Sequence, residues 1–238
     1  MNQLLLKETP APGSTVTVTG ARAEHIRTVL RSKAGDTLKA GVLGGLSGHG
    51  TIRSVEKGKV LLDSFVLDSP PPPALPITLA VALPRPQSLK KVLHFAASAG
   101  IPELILFQSA RVEKSYWNSS AMTPEAIEEE LILGLEQGGT TIMPELMFRP
   151  SLKRYMASEE FKTLTSDALC LIAHPRDAEK CPAQVTGKVV CAIGPEGGYR
   201  EEEVSAFIQA GFKSVEIGQY ILRVEFALST LYGRLVPF

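Results

Sequence analysis

Lys188-Val189-Val190-Cys191-Ala192-Ile193-Gly194-Pro195-Glu196-Gly197-Gly198 runs from an apolar segment of buried-strand length directly into a glycine loop, and Glu201-Glu202-Glu203 opens the helix that follows. Strand, tight loop and helix in that order are the repeating unit of an α/β fold. The glycines let a backbone approach a ligand closely and adopt positive φ, while Pro195 stiffens the turn. Two familiar glycine-loop chemistries are excluded, because the spacing is neither G-x-G-x-x-G nor G-x-x-x-x-G-K-[ST]. The three glutamates suit the positive end of the helix dipole but would repel a phosphate placed there. Glycine and proline alone leave two readings open: a loop for a ligand without a pyrophosphate, or a plain strand-to-helix turn.

Working outward, the same alternation continues on both sides. Downstream, 201–210 reads as helix, 214–217 as a short strand and 224–235 as the last helix. Upstream, 168–173, 104–107 and 77–83 are apolar runs of strand length. Residues 88–99 carry a helical stripe with Gly100 where a C′ residue belongs. Thr123 caps a further helix with Pro124 at its first position, and Gly138-Gly139 end it. This predicts an α/β fold with a mostly parallel sheet, whose ligands bind at the carboxyl ends of the strands. Three strand ends stand out there: Ile172-Ala173-His174, Ile193 to Gly198, and Ile217-Gly218 running on through Ile221-Leu222-Arg223.

Ser69-Pro70-Pro71-Pro72-Pro73-Ala74-Leu75-Pro76 excludes helix and central strand and marks a semi-rigid connector. The expected division is a small module at 1–68, a proline-rich linker at 69–76 and a larger unit at 77–238. The first module reads as short strands: 15–19, then a hairpin of 50–55 and 59–63 around Lys57-Gly58. A short helix covers 23–31, and 41–50 reads as a glycine-rich loop. The sum is a small β-barrel with one helix.

Composition bounds the function. The chain has 25 basic and 25 acidic residues among 238, so no net charge advertises a nucleic-acid partner. Yet Arg22, His25, Arg27, Arg31 and Lys33 crowd one segment, which leaves room for a basic face. Cys170, Cys181 and Cys191 lack metal-ligand spacing and the four histidines are scattered, so no protein-bound metal is expected. Cys170 and Cys191 lie in apolar runs and read as buried thiols. No apolar run approaches the roughly 20 residues that span a bilayer, and the apolar start is too short for a signal peptide. No membrane association and a cytoplasmic location are expected.

Ile193-Gly194-Pro195-Glu196-Gly197-Gly198, then Glu202-Glu203-Val204, Ile217-Gly218 and Ile221-Leu222-Arg223-Val224-Glu225, resembles the ribosomal 16S RNA uridine-N3 methyltransferases (the RsmE family) of the SPOUT superfamily. His25, Val29-Leu30-Arg31 and Gly35-Asp36 resemble the PUA-like RNA-binding barrel at that family's N-terminus. The resemblance covers nearly the whole chain. It implies a PUA-like β-barrel followed by a SPOUT-type α/β trefoil knot that binds S-adenosyl-L-methionine, works as a homodimer and methylates N3 of a uridine in 16S rRNA of the small ribosomal subunit. The implied cofactor loops are Ile172, Ala173 and His174; Ile193, Gly194, Pro195, Gly197 and Gly198; and Ile217, Gly218, Ile221 and Leu222. A side chain added at Gly197 is expected to crowd the cofactor.

Methylation at N3 requires the N3 proton to leave, the ring to be held, and donors to meet the negative charge developing on the base. Arg223 is the first candidate donor. Glu196 either assists proton removal or braces its loop through backbone N–H groups. Glu225 is expected to orient Arg223 or the helix start. Arg111, matching an arginine that the family carries near the cleft, and Arg22, His25, Arg27 and Arg31 are the candidate RNA contacts; solvated or ion-paired surface is the alternative for each. The chain departs from the family at Ser98-Ala99-Gly100, at Thr140-Thr141 and at Val224-Glu225-Phe226-Ala227, all expected near the cleft and the dimer interface. Two alternative readings stay open: a non-catalytic RNA-binding knot protein, and a sister SPOUT methyltransferase acting on tRNA.

Overall fold

The computed structural model describes residues 1–175 and 177–237. The N-terminal part forms a five-stranded sheet from β1 (Leu4–Leu6), β2 (Val16–Thr19), β3 (Thr37–Val42), β4 (Ser47–Glu56) and β5 (Lys59–Ser69), with helix α1 (Gly20–Thr28) between β2 and β3. The strand order is β1-β3-β4-β5-β2, antiparallel except for the parallel pair of β1 with β3. Leu4, Leu6, Val18, Ile26, Ile52 and Leu62 pack together as its core. The sheet curls through register shifts along β4 and β5.

The expected glycine-rich loop at 41–50 is a correction. Only 43–46 turns; Gly41 belongs to β3, and Gly48 and Gly50 belong to β4. A Cβ on Gly48 would lie 2.0 Å from the Val66 carbonyl oxygen. Glycine here lets two strands approach closely at a bulge, so it marks strand contact rather than loop.

Residues 70–75 carry neither helix nor strand. After them come β6 (Ile77–Ala82), α2 (Pro86–Ser98), β7 (Glu103–Phe107), two short 3-10 turns, α3 (Pro124–Gly138), β8 (Glu145–Arg149), α4 (Leu152–Met156), α5 (Glu159–Thr165), β9 (Leu169–Ala173), β10 (Glu179–Lys180), β11 (Val189–Ile193), α6 (Glu201–Gln209), β12 (Lys213–Glu216) and α7 (Val224–Leu235). Their seven strands form one sheet in the order β10-β12-β9-β11-β6-β7-β8, parallel at every registered pair. Every residue of β6 and β11 is buried, as strands covered on both faces require. The edges β8 and β10 are half-exposed or exposed and carry charge, which is why their apolar signal is weak. At α3 the expected caps form: Thr123 Oγ1 accepts from the Ala126 N–H, and Gly139 takes the left-handed conformation at φ 72°.

β1 joins the two sheets. Leu4 and Leu6 face the small core while Leu5, pointing the other way, enters the large one. The Glu136 carbonyl accepts from the Asn2 and Gln3 N–H groups at 2.8 and 3.1 Å. The Glu136 carboxylate, 2% exposed, pairs with Arg22 at 3.0 Å and accepts from the Leu5 N–H at 3.2 Å. Thr141 donates to the Gly45 carbonyl at 2.7 Å. Of the family departures, the one at Thr140-Thr141 therefore lies on this seam.

Burial pushes the Glu136 carboxyl up, and Arg22 and the Leu5 N–H pull it part of the way back. A carboxyl raised on folding holds its proton more tightly when folded, so stability falls as pH rises from its unfolded value through its folded one. Arg22→Ala widens that window. We expect it to cost about 1–2 kcal/mol at neutral pH, a charged hydrogen bond discounted for partial exposure, and much less in mild acid. Urea unfolding at the two pH values checks this; a loss equal in both would remove Glu136 from the explanation.

Candidate active site

The three strand ends singled out above belong to β9, β11 and β12, which are neighbours in the sheet. Ala173 lies in register with Ile193 on one side and Val215 on the other, so the strands finish level and their loops emerge together. Beyond β9 the ladder continues by one rung: the His174 N–H donates to the Val215 carbonyl at 3.2 Å, and Ser214 Oγ donates to the His174 carbonyl at 3.1 Å. Residues 172–174, 194–198 and 217–222 are thus brought to one end of the sheet, the carboxyl end where α/β folds bind ligands.

The middle loop is held from three directions. The Gly198 N–H donates to the Pro195 carbonyl at 2.8 Å, closing the turn. Glu196 Oε1 accepts from the backbone N–H of Arg85 at 3.1 Å and from its Nε at 3.2 Å, tying the loop to the start of α2. Arg111 Nη1 donates to the Gly197 carbonyl at 2.5 Å. Glu203 accepts from the Ala110 N–H at 2.8 Å through one oxygen and from the Arg200 N–H at 2.9 Å through the other. Gly194 packs closely on its neighbour: a Cβ there would sit 3.1 Å from the ring of Tyr199, tight enough that the ring would have to give. That ring is buried edge-on to Phe207, and burial drives its phenol far above the usual range. At Gly197 an added Cβ would meet only Arg111, at 3.4 Å, an ordinary contact.

The third loop is the opposite. Tyr220 is 84% exposed, Ile221 96% and Leu222 40%, and Phe226 on the first turn of α7 is 55% exposed. Arg223 is exposed at the N-cap of α7. Glu225 beside it is buried and pairs with Lys91 of α2 at 3.0 Å. Burial raises its carboxyl, but its own N–H, Lys91 and Arg223 outweigh that and hold it below the usual range.

The candidate RNA contacts are distributed differently. Arg22, His25 and Arg27 lie on α1, and Arg31 lies just beyond it with φ 54°. Arg22 is engaged by Glu136, and Arg27 by Glu24 at 2.6 Å. Arg111 lies with the braced loop instead. Arg85 and Glu203 are braces that the sequence reading missed or read only as dipole charge. Arg85, between two prolines right after the buried β6, was the available signal. All three cysteines are buried. Among the described residues no group of His, Cys, Asp and Glu is placed to hold a metal ion, and no helix is long and apolar enough to cross a membrane.

A cavity of about 870 Å³ opens beside the braced loop, lined by Gln108, Lys114, Lys153, Glu202 and Glu203 among others. None of residues 172–174, 194–198 or 217–222 lines it.

Residues 71–236 match the RNA methyltransferase domain family. A curated relative, ribosomal RNA small subunit methyltransferase E of Treponema pallidum, is 31% identical across 85% of this chain and 77% of its own. Ribosomal RNA small subunit methyltransferase E 1 of Borreliella burgdorferi is 26% identical across 89% and 88%. Among solved structures, a ribosomal RNA small subunit methyltransferase E from Neisseria gonorrhoeae bound to S-adenosyl methionine has the same fold: TM-score 0.73, 21% identity, covering 98% of this chain and 96% of that one. A methyltransferase from Legionella pneumophila in complex with the same cofactor gives TM-score 0.71 at 21% identity, covering 97% and 95%. With that family spanning its whole parallel sheet and a relative of this identity over most of both chains, the protein belongs to the RNA methyltransferases, in the ribosomal RNA small subunit methyltransferase E group.

Proposed function

We propose that the protein is an S-adenosyl-L-methionine-dependent methyltransferase of 16S rRNA, acting on N3 of a uridine. The observation that carries this is the convergence of three loops from adjacent parallel strands, one rigidly braced and one exposed and apolar. Residues 172–174, 194–198 and 217–222 would hold the cofactor. The open space around Gly218, and a first helical turn of three glutamates that disfavours phosphate, fit a ligand carrying a sulfonium rather than a pyrophosphate. When bound, the cofactor supplies an electrophilic methyl group.

The chain's own residues divide the remaining work. Glu196 holds the glycine loop to α2 and keeps its backbone groups aimed, which favours the bracing role over proton removal. Arg111 fixes the Gly197 carbonyl from the other side. Arg223, exposed at the end of the third loop, donates to the uracil and meets the charge that builds on the ring as its N3 proton passes to solvent. A paired uridine must first be exposed to reach it.

A trefoil knot is supported by β11 lying between the earlier strands β6 and β9, and by Gln184 and Val185 bonding to the Arg234 and Leu235 carbonyls at the end of α7. The curled N-terminal sheet at 1–68 serves as a PUA-like RNA-binding module, with 69–76 as linker and 77–238 as catalytic unit. A homodimer that covers Tyr220, Ile221, Leu222 and Phe226 accounts for their exposure. The site of action is cytoplasmic.

The test is methylation of undermethylated small-subunit RNA by purified protein and cofactor, with the product mapped by mass spectrometry. One methyl on a uridine base at N3 is expected. Cofactor binding without transfer would leave a non-catalytic knot protein, and transfer to tRNA alone would make it a sister enzyme; either result overturns the proposal.

A further inference from the structure

At the end of the sheet opposite the cofactor loops lies a second cavity, of about 560 Å³. The first residues of β6, β7, β8 and β11 line it, Tyr155 of α4 and Glu160 and Leu164 of α5 face them, and Ala74, Leu75 and Pro76 of the proline connector complete the wall. This is a size typical of small-ligand sites.

The register makes the chemistry of this wall unusual. Thr78 pairs with Glu103 and Glu103 with Glu145, so three side chains on adjacent parallel strands form one row on one face. Two carboxylates thus stand side by side, at about the 4.8 Å strand spacing, where like charges destabilise a sheet. Thr78 Oγ1 donates to Glu103 at 2.7 Å, but a hydroxyl brings no charge. Glu160 adds a third carboxylate from the facing helix; Arg149 engages it and lies over the Tyr155 ring, 5.3 Å from its centroid. The lining residues carry three carboxylates against one lysine, Lys188; Arg149 neutralises Glu160, which leaves Glu103 and Glu145 without an ion pair among the described residues.

Tyr155 supplies the independent observation. It is 4% exposed and lines the cavity, and its hydroxyl has no hydrogen-bond partner. A buried orphan hydroxyl is costly and calls for an explanation. Burial chiefly, with Glu160 and Glu103 adding to it and Arg149 opposing, pushes its phenol up to about 12, so it stays protonated. Two residues along from the carboxylate row, and so on the same face, Ile105 and Met147 continue the wall as apolar surface.

We propose that this cavity binds a protonated alkyl diamine such as 1,4-diaminobutane. One ammonium sits between Glu103 and Glu145 with the Tyr155 hydroxyl oxygen as a further acceptor, the methylenes lie along Ile105, Met147 and Leu164, and the second ammonium faces Glu160, the third carboxylate of the wall. A divalent metal ion fits less well, because it demands a closed shell of oxygen ligands and much of this wall is hydrocarbon.

Calorimetry on the full chain at fixed ionic strength tests this with 1,4-diaminobutane, butylamine and magnesium chloride. Saturable one-to-one binding of the diamine is expected, with Glu145→Gln weakening it about tenfold, the scale of one charge-assisted hydrogen bond. Tyr155→Phe should weaken it several-fold while leaving the ligand-free thermal midpoint unchanged or higher, since the ring keeps its edge contact with Phe161. Glu145 is exposed on an edge strand, so its variant keeps the fold even if the tyrosine variant does not. S-adenosyl-L-methionine binding should be the same in both variants, which separates this site from the one at the other end. Butylamine should bind more weakly than the diamine; no saturable heat, butylamine binding as tightly as the diamine, equal binding to Glu145→Gln, or preference for magnesium over the diamine would overturn the proposal.

Discussion

Gly138→Ala is expected to lower the thermal midpoint by about 6–12 °C, corresponding to roughly 3 kcal/mol for a chain of this size. The added Cβ would lie 2.2 Å from the Ser98 carbonyl oxygen and 2.7 Å from the Ser98 Cα, both backbone atoms of α2 that cannot swing aside. One turn earlier, Gly134 is nearly as tight: its Cβ would meet the His94 carbonyl oxygen at 2.5 Å. The two glycines, four residues apart, form one stripe of α3 and let its backbone rest on α2. Helix propensity works in the opposite direction and favours alanine by only about 1 kcal/mol. The clash therefore wins, and α3 must move. Its C-terminal end carries Glu136 and leads to Thr141, which dock the N-terminal sheet, so the displacement also loosens that seam. Gly233→Ala is the control, because nothing lies within 4 Å of its Cβ on α7. It should raise the midpoint slightly. Equal shifts of one sign in both variants would show that propensity, not contact, decides.

That contrast also shows what the sequence could and could not reveal. Gly138-Gly139 was legible as a helix end, and Gly139 does cap α3, yet the role of Gly138 depends on a neighbour forty residues away that no local pattern announces. β6 and β11 were legible because central parallel strands must be apolar throughout. β1 was not, since its three leucines divide between two cores and so follow no single face. β8 and β10, on the edges, carry polar residues that mask their period. Within the site, the loops were legible as glycine and proline at strand ends, but the order β12-β9-β11 that brings them together was not. The braces were hidden for the same reason: Arg85 and Glu196 are separated by 111 positions, and Ala110 and Glu203 by 93.

Arg223→Ala is expected to cut kcat/KM about 10²- to 10³-fold while changing cofactor affinity by less than about twofold, the pattern of a donor that acts on charge formed only in the transition state. The side chain is exposed at the N-cap of α7, at the end of the third loop, which places its guanidinium beside the three converging loops. A structural role would have to run through Glu225, the neighbouring buried carboxylate. Glu225, however, already has Lys91 at 3.0 Å and its own backbone N–H, and it keeps both when Arg223 is shortened. The variant should therefore unfold within a few degrees of the parent protein, whereas Lys91→Ala, which strips Glu225 of its ion pair, should lower the midpoint more and turnover less. Arg223→Lys should recover only part of the rate, because an ammonium cannot reproduce the planar two-donor contact of a guanidinium. Calorimetry with S-adenosyl-L-methionine beside single-turnover methylation separates the roles. Parallel loss of cofactor binding and turnover in Arg223→Ala would move this residue from the uridine side of the site to the cofactor side.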